Sequence, residues 1–173
     1  MQSLLSKPPR LGNTRLILID GPAGAGKTTL AKKLAIEFSA QVIHLDSLYD
    51  GWENALTQTL TDNLLALCKS IQNGDTHSLP IYNWSKMIYE GYLKIEPANT
   101  LIIEGVGAGQ SAVREYATAL IWIEIEPELG FSRVIARDGD SIAEQIKVWQ
   151  EREAAHFEKE QTRKFADFHY STT

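Results

Sequence analysis

Apolar residues fall along the chain in two alternating rhythms. Short unbroken apolar runs at Leu16–Asp20, Val42–Leu45, Leu101–Glu104 and Leu120–Ile125 are too brief for helices and read as buried strands. Between them lie stretches whose apolar residues recur at helical spacing. Lys27–Phe38 carries Leu30, Leu34 and Phe38 on one face. Trp52, Leu56, Leu60, Leu64, Leu67 and Ile71 form a longer stripe that stops near Asn73-Gly74. Ser111–Thr118 and Glu128–Arg137 are further helical segments, the second closed by Asp138-Gly139-Asp140. Ser141 with Glu144 has the spacing of a capping box and predicts a last helix reaching about Ala166. Asp167–Tyr170 follows as an edge strand, and residues 79–98, rich in aromatics, read as short strands or an irregular insert.

Strands that alternate with helices predict an α/β fold of three layers, a parallel sheet of about five strands covered by helices on both faces. The expected organisation is a flexible arm over residues 1–14, broken by Pro8-Pro9 and Gly12-Asn13, and one domain over residues 15–173.

Composition narrows the function more than the fold. The chain has 173 residues, 43% hydrophobic and 23% charged, as in ordinary globular domains. A net charge of -5 argues against a general nucleic-acid surface and leaves room for small anions, which respond to local fields. The single cysteine, Cys68, allows no internal disulfide; on the helical stripe it reads as a small core residue. No apolar run approaches a membrane span and no secretory core stands near the start, so a cytoplasmic protein without membrane contact is expected.

The stretch IDGPAGAGKTTL lies between the first strand and the first helix. Gly21-Pro22-Ala23-Gly24-Ala25-Gly26-Lys27-Thr28 fits G-x-x-x-x-G-K-[ST] throughout. Small residues let successive backbone N–H groups point at phosphate oxygens, and the helix start adds positive potential. These eight residues and Thr29 are the expected nucleotide-binding set, with Lys27 on the β- and γ-phosphates and the Thr28 hydroxyl on Mg²⁺. The predicted fold is therefore that of a P-loop NTPase, with ATP and Mg²⁺ as cofactors.

In an open α/β sheet the ligand crevice lies beyond the carboxyl ends of the strands. Asp46 and Glu104 each end a strand there. One carboxylate at such a place can take the proton of an attacking hydroxyl, and another can hold Mg²⁺. Asp20 also ends a strand but abuts the loop and reads as structural. His44 reads as packed or half-exposed, and the run EREAAHFEKEQTRK as a solvated helix face. His77, His156 and His169 lack metal-ligand spacing, so no zinc site is expected.

With IDGPAGAGKTT, LDSLY, LPIYN, LIIEGVGA and FSRVIARD in this order, the chain resembles the uridine kinase-like P-loop kinases from about Arg15 to Asp138. The resemblance implies that Asp46 is the catalytic base and that Glu104 is the acidic residue at the third strand. It further implies that Arg133 and Arg137 are lid arginines, four residues apart on one helix face. Tyr82 falls in the family's P-x-Y-D segment; the aspartate of that segment is Asn83 here, and Trp84, Ser85 and Lys86 replace the family's histidine and arginine. The candidate acceptor contacts are Tyr49, Tyr82, Asn83 and Lys86. The kinase machinery is kept, while the acceptor pocket differs.

The expected activity is transfer of the ATP γ-phosphate to a hydroxyl of an unphosphorylated small molecule, nucleoside-like or sugar-like. Two alternatives stand beside it: a nucleoside monophosphate kinase, since IDGPAG also resembles cytidylate kinase, and a nucleotide-dependent switch without an acceptor. From Leu16 to Val113 there is no arginine, the residue best suited to grip a second phosphate, which favours the first reading. Neither the acceptor nor the oligomeric state is legible in the sequence.

Overall fold

The computed structural model describes residues 7–172. Five parallel strands form one sheet: β1 (Arg15–Asp20), β2 (Gln41–His44), β5 (Thr100–Glu104), β6 (Ala119–Glu124) and β7 (Phe168–Ser171), in the order β2-β5-β1-β6-β7. Two more strands, β3 (His77–Asn83) and β4 (Ile88–Ile95), pair antiparallel as a separate hairpin where short strands or an irregular insert were expected. The helices are α1 (Lys27–Phe38), α2 (Gln58–Gln72), α3 (Ser111–Arg114), α4 (Pro127–Asp138), α5 (Ala143–Glu160) and α6 (Thr162–Phe165).

The apolar runs are continuous because both sheet faces are covered. Successive residues of a strand point to opposite faces. Leu16 and Leu18 of β1 join one core with Leu64 and Leu67 of α2 and Trp149 of α5. Ile17 and Ile19 join the other with Ala31 and Leu34 of α1. Cys68 is fully buried in the first core, and burial pushes its thiol up to about 12.

Several boundaries differ from the sequence pattern. Trp52 and Leu56 continue the apolar stripe but lie in turns, and α2 begins only at Gln58. Gly51, φ +68, turns the chain just before them. α3 ends at Arg114 because the chain must turn back to the sheet, where the Thr118 N–H donates to Leu16 O at 2.8 Å. The Ser141–Glu144 capping box does not form: Ile142 is the N-cap, no side chain caps the helix, and Glu144 pairs with Lys147 at 2.8 Å. The last helix breaks at Gln161, φ 54, before the short α6.

Residues 1–6 of the expected arm lie outside the described residues. The rest is anchored rather than loose. Leu11 is buried, it bridges to Thr14, and the Thr14 hydroxyl donates to Ala98 O at 2.6 Å.

Candidate active site

The register puts the candidate residues together. His44 of β2 stands beside Glu104 of β5, which stands beside Ile19 of β1. The loop from Gly21 to Gly26 leaves the end of β1 and enters α1 at Lys27. Gly24 has φ +77, and a Cβ there would lie 2.4 Å from Gly130 O. The backbone of α4 thus packs directly on the backbone of the loop, an approach open only to glycine. Helix α1 begins after Gly26 with no side-chain cap and no acidic residue in its first turn. Its first N–H groups are left for an anion, which is the condition a phosphate needs.

Lys27 is buried, and its Nζ donates to Gly21 O at 2.7 Å and Pro22 O at 2.8 Å. Thr28 Oγ1 donates to Glu104 Oε1 at 2.9 Å. Glu104 is buried, and His44 Nδ1 meets the same oxygen at 2.5 Å. The half-exposed His44 thus stands at the carboxylate that ends β5, a contact that its position in a strand did not reveal. Among the described residues no cluster of three His, Cys, Asp or Glu could hold a metal alone. The Thr28 hydroxyl and the Glu104 carboxylate are hard oxygen donors. They suit Mg²⁺, which keeps waters and takes phosphate oxygens rather than a full protein cage.

Asp46 lies in a 3-10 turn, Leu45–Ser47, directly after β2. It is open to solvent at the cleft floor but crowded by protein. That desolvation raises its carboxyl above the usual range; Lys27 opposes the shift and Glu104 adds to it. The hairpin clamps this turn, since Trp84 Nε1 donates to Asp46 O at 2.8 Å and Tyr89 OH to Leu48 O at 3.1 Å.

Beside Asp46 stands a wall of rings. Trp52 meets Trp84 at 5.2 Å and Trp149 at 5.8 Å, Tyr49 meets Trp149 at 5.5 Å, and Tyr82 meets Trp84 and Tyr89 at 5.3 Å each. Of the expected acceptor contacts, Tyr49 is buried and its OH donates to Val106 O at 2.8 Å, while Tyr82 is buried within the wall. Asn83 and Lys86 have other tasks. Asn83 Oδ1 accepts from the backbone N–H groups of Ser85 and Lys86 and so builds the hairpin turn, and Lys86 pairs with Glu90 at 2.7 Å.

The two arginines of α4 make different contacts. Arg133 Nη1 donates to Thr172 Oγ1 at 3.2 Å, and that hydroxyl reaches Ala25 O at the back of the loop. Arg137 forms a bidentate pair with Asp138 and lies within the fields of Asp46 and Glu104.

Two buried carboxylates brace the site. Asp20 accepts from the N–H groups of Gly21 (2.8 Å), Gly107 (3.1 Å) and Gly109 (2.7 Å), tying the loops after β1 and β5 together. Burial raises it to about 6 against those bonds. Glu153 of α5 is only 3% exposed and accepts from the Ala23 N–H at 3.0 Å. The charged run around it reads as solvated, but Glu153 falls on the same helix face as the buried Ile146 and Trp149, which sets it apart from the exposed Glu151 and Glu158.

The sequence pattern of the phosphoribulokinase/uridine kinase family matches residues 54–167. The match covers more than half of the chain and begins beyond the phosphate loop, so it owes nothing to that motif. The chain belongs to this family. Among solved structures, a possible uridine kinase from Bacillus stearothermophilus is similar at 18% identity and TM-score 0.71, over 98% of this chain and 94% of that one. A candidate fructose transport system kinase from a Silicibacter species is similar at 18% identity and TM-score 0.72, over 91% and 89%. Shikimate kinase from Acinetobacter baumannii, solved with shikimate, is similar at 15% identity and TM-score 0.55, over 92% and 84%. At these identities the structures show a shared fold. No curated protein matches the chain significantly in sequence. Among the described residues no helix is long and apolar enough to cross a membrane.

Proposed function

We propose that the protein is an ATP-dependent small-molecule kinase whose acceptor is the hydroxyl of a metabolite that carries no phosphate, nucleoside-like or sugar-like. The observation that carries this reading is the convergence of Lys27, Thr28, Glu104 and Asp46 on one cleft floor beside the aromatic wall. The uncapped start of α1 and the loop N–H groups receive the phosphates, and Lys27 leaves its loop carbonyls for the β- and γ-oxygens. Thr28 and Glu104 hold Mg²⁺, directly or through its waters. Mg²⁺ held there would supply positive charge against that developing on the phosphates. Asp46 accepts the proton of the attacking hydroxyl, and its raised pKa brings it nearer to the working pH of a general base.

Basic residues on the acceptor side are engaged. Lys86 pairs with Glu90, Lys94 with Glu96, and Arg152 donates to Trp52 O. Arg114 donates to Gly109 O and Glu160 O and stacks on Phe165. A monophosphate acceptor would bring a dianion next to Asp46 and Glu104 without a prepared partner, which favours an uncharged acceptor. A side-by-side assay of nucleosides, sugars and their monophosphates with Mg·ATP tests this. Turnover is expected with an unphosphorylated acceptor. A nucleoside monophosphate turned over faster than every unphosphorylated acceptor would replace the reading with a monophosphate kinase.

The separation of the α4 arginines gives a second expectation. Arg137→Ala should lower kcat more than it raises KM for ATP, because Arg137 lies across from Asp46 and Glu104, where the phosphoryl group moves. Arg133→Ala should act mainly on KM, because its contact with Thr172 sits at the back of the loop. Steady-state kinetics of the two variants would show the opposite split if these placements do not govern their roles.

A further inference from the structure

We infer that Glu153 is a ligand of the terminal phosphate that works as a neutral carboxylic acid, so that binding of a nucleoside triphosphate takes up one proton at this side chain. The inference rests on reading the loop as a triphosphate site. Helix α5 crosses the loop and sets the Glu153 carboxylate on it, with Oε2 3.0 Å and Oε1 3.3 Å from the Ala23 nitrogen. Trp149, one turn earlier on α5, stands beside this carboxylate and favours its ionised form. From the packed elements three titratable groups face it: Lys27 at the start of α1, Asp20 at the end of β1, and the Tyr49 phenol after β2.

The carboxylates around Lys27 differ in how well their charge is matched. Asp20 accepts three backbone N–H groups. Glu104 has Thr28 and His44 and lies on the Mg²⁺ side. Asp46 is raised by crowding too, but its residue reaches solvent and Lys27 opposes the shift. Glu153 is buried with only the Ala23 N–H bonded to it, and burial already raises it to about 7. A triphosphate adds negative charge on the loop and draws Lys27 toward itself. Both changes oppose the ionised form, so the carboxyl of the complex titrates higher than that of the free protein. Protonation resolves the conflict with little movement. One oxygen still accepts the Ala23 N–H, and the other becomes an O–H donor to a phosphate oxygen. Because Trp149 also packs on Tyr49 and Trp52, the same contact ties the phosphate loop to the aromatic wall.

The sign of the pH effect follows. Where binding raises the pKa of a group, protons are taken up between the free and bound values, and affinity falls as pH rises, by about tenfold per unit. Calorimetry of Mg·ATP binding at pH 8, where ATP itself is ionised, in two buffers of different ionisation enthalpy counts these protons. The wild-type protein should take up close to one proton. Glu153→Gln presents the same acceptor and donor without a charge, so it should take up none and bind Mg·ATP more tightly at pH 8. Mg·ADP, lacking the terminal phosphate, should show less uptake. The count on the wild-type protein needs no variant, and a melting curve of Glu153→Gln verifies its fold. Binding of Mg·ATP without proton uptake, or with equal uptake in Glu153→Gln, would overturn the inference. So would uptake that Asp46→Asn abolishes and Glu153→Gln keeps. Failure of Mg·ATP to bind at any pH would instead remove the triphosphate reading beneath it.

Discussion

Replacing Asp46 with asparagine is expected to lower phosphoryl transfer by about two to four decades while Mg·ATP affinity stays close to that of the unmodified chain. The substitution keeps the shape of the side chain and removes its proton-accepting oxygen. Its backbone setting should persist, because the carbonyl of Asp46, not its carboxylate, receives the Trp84 indole. The 3-10 turn that carries it has no other side chain of the same chemistry. Desolvation raises the Asp46 carboxyl, so the base is ionised only above that raised value. In the unmodified enzyme kcat should therefore fall as pH drops through it, an acid limb higher in pH than an ordinary aspartate would give, and Asp46→Asn should lose that limb along with the rate. Rate–pH profiles of the two proteins, with calorimetric binding of Mg·ATP, make the check. Turnover in Asp46→Asn like that of the parent would remove Asp46 from the role of base.

The expected effect is large because several elements converge on one turn, and they were not equally legible in the sequence. The phosphate loop was plain, since its small residues, lysine and threonine lie adjacent in the chain and owe their chemistry to the backbone they share. Strands β1, β5 and β6 were legible for a related reason: a strand buried on both faces is apolar throughout, whatever its neighbours. Glu153 is only partly legible. Its spacing from Ile146 and Trp149 puts it on the buried face of α5, but its contact with Ala23 depends on where α5 crosses a loop 130 residues earlier. The same limit applies to Trp52 and Leu56. They fit a helical period with α2 but serve the aromatic wall and its surroundings from the turns that precede it. Arg133 and Arg137 show how far spacing alone goes. Spacing of four residues places two side chains on one face of a helix, but long arginines diverge, one to Thr172 and one to Asp138 and the cleft. Asn83 also has a local task that the family's pattern does not show, since its amide closes the hairpin turn.

Lys27→Ala is expected to act at two places at once. Its ammonium is the charge that the proposed mechanism moves from the carbonyls of Gly21 and Pro22 to the phosphates. Loss of one such donor in a preorganised site costs about 10²–10³-fold in kcat, and the affinity for Mg·ATP should fall with it. The second effect concerns the carboxylates. Lys27 is a lowering influence on Asp20, Asp46 and Glu153 alike. Without it all three carboxyls move further up, because burial then acts with less opposition. The remaining activity of Lys27→Ala should therefore shift its acid limb to higher pH, in addition to being lower at every pH. Lys27→Met, which keeps the length of the side chain and drops the charge, should reproduce both effects. That comparison assigns them to charge rather than to a gap left in the loop. The contacts that fix the loop besides Lys27, from Asp20 and Glu153 to the N–H groups of Gly21 and Ala23, should keep the chain folded, which a melting curve reads directly. Calorimetry and turnover in which Lys27→Ala matches the unmodified chain would show that the loop does not use its lysine on a phosphate.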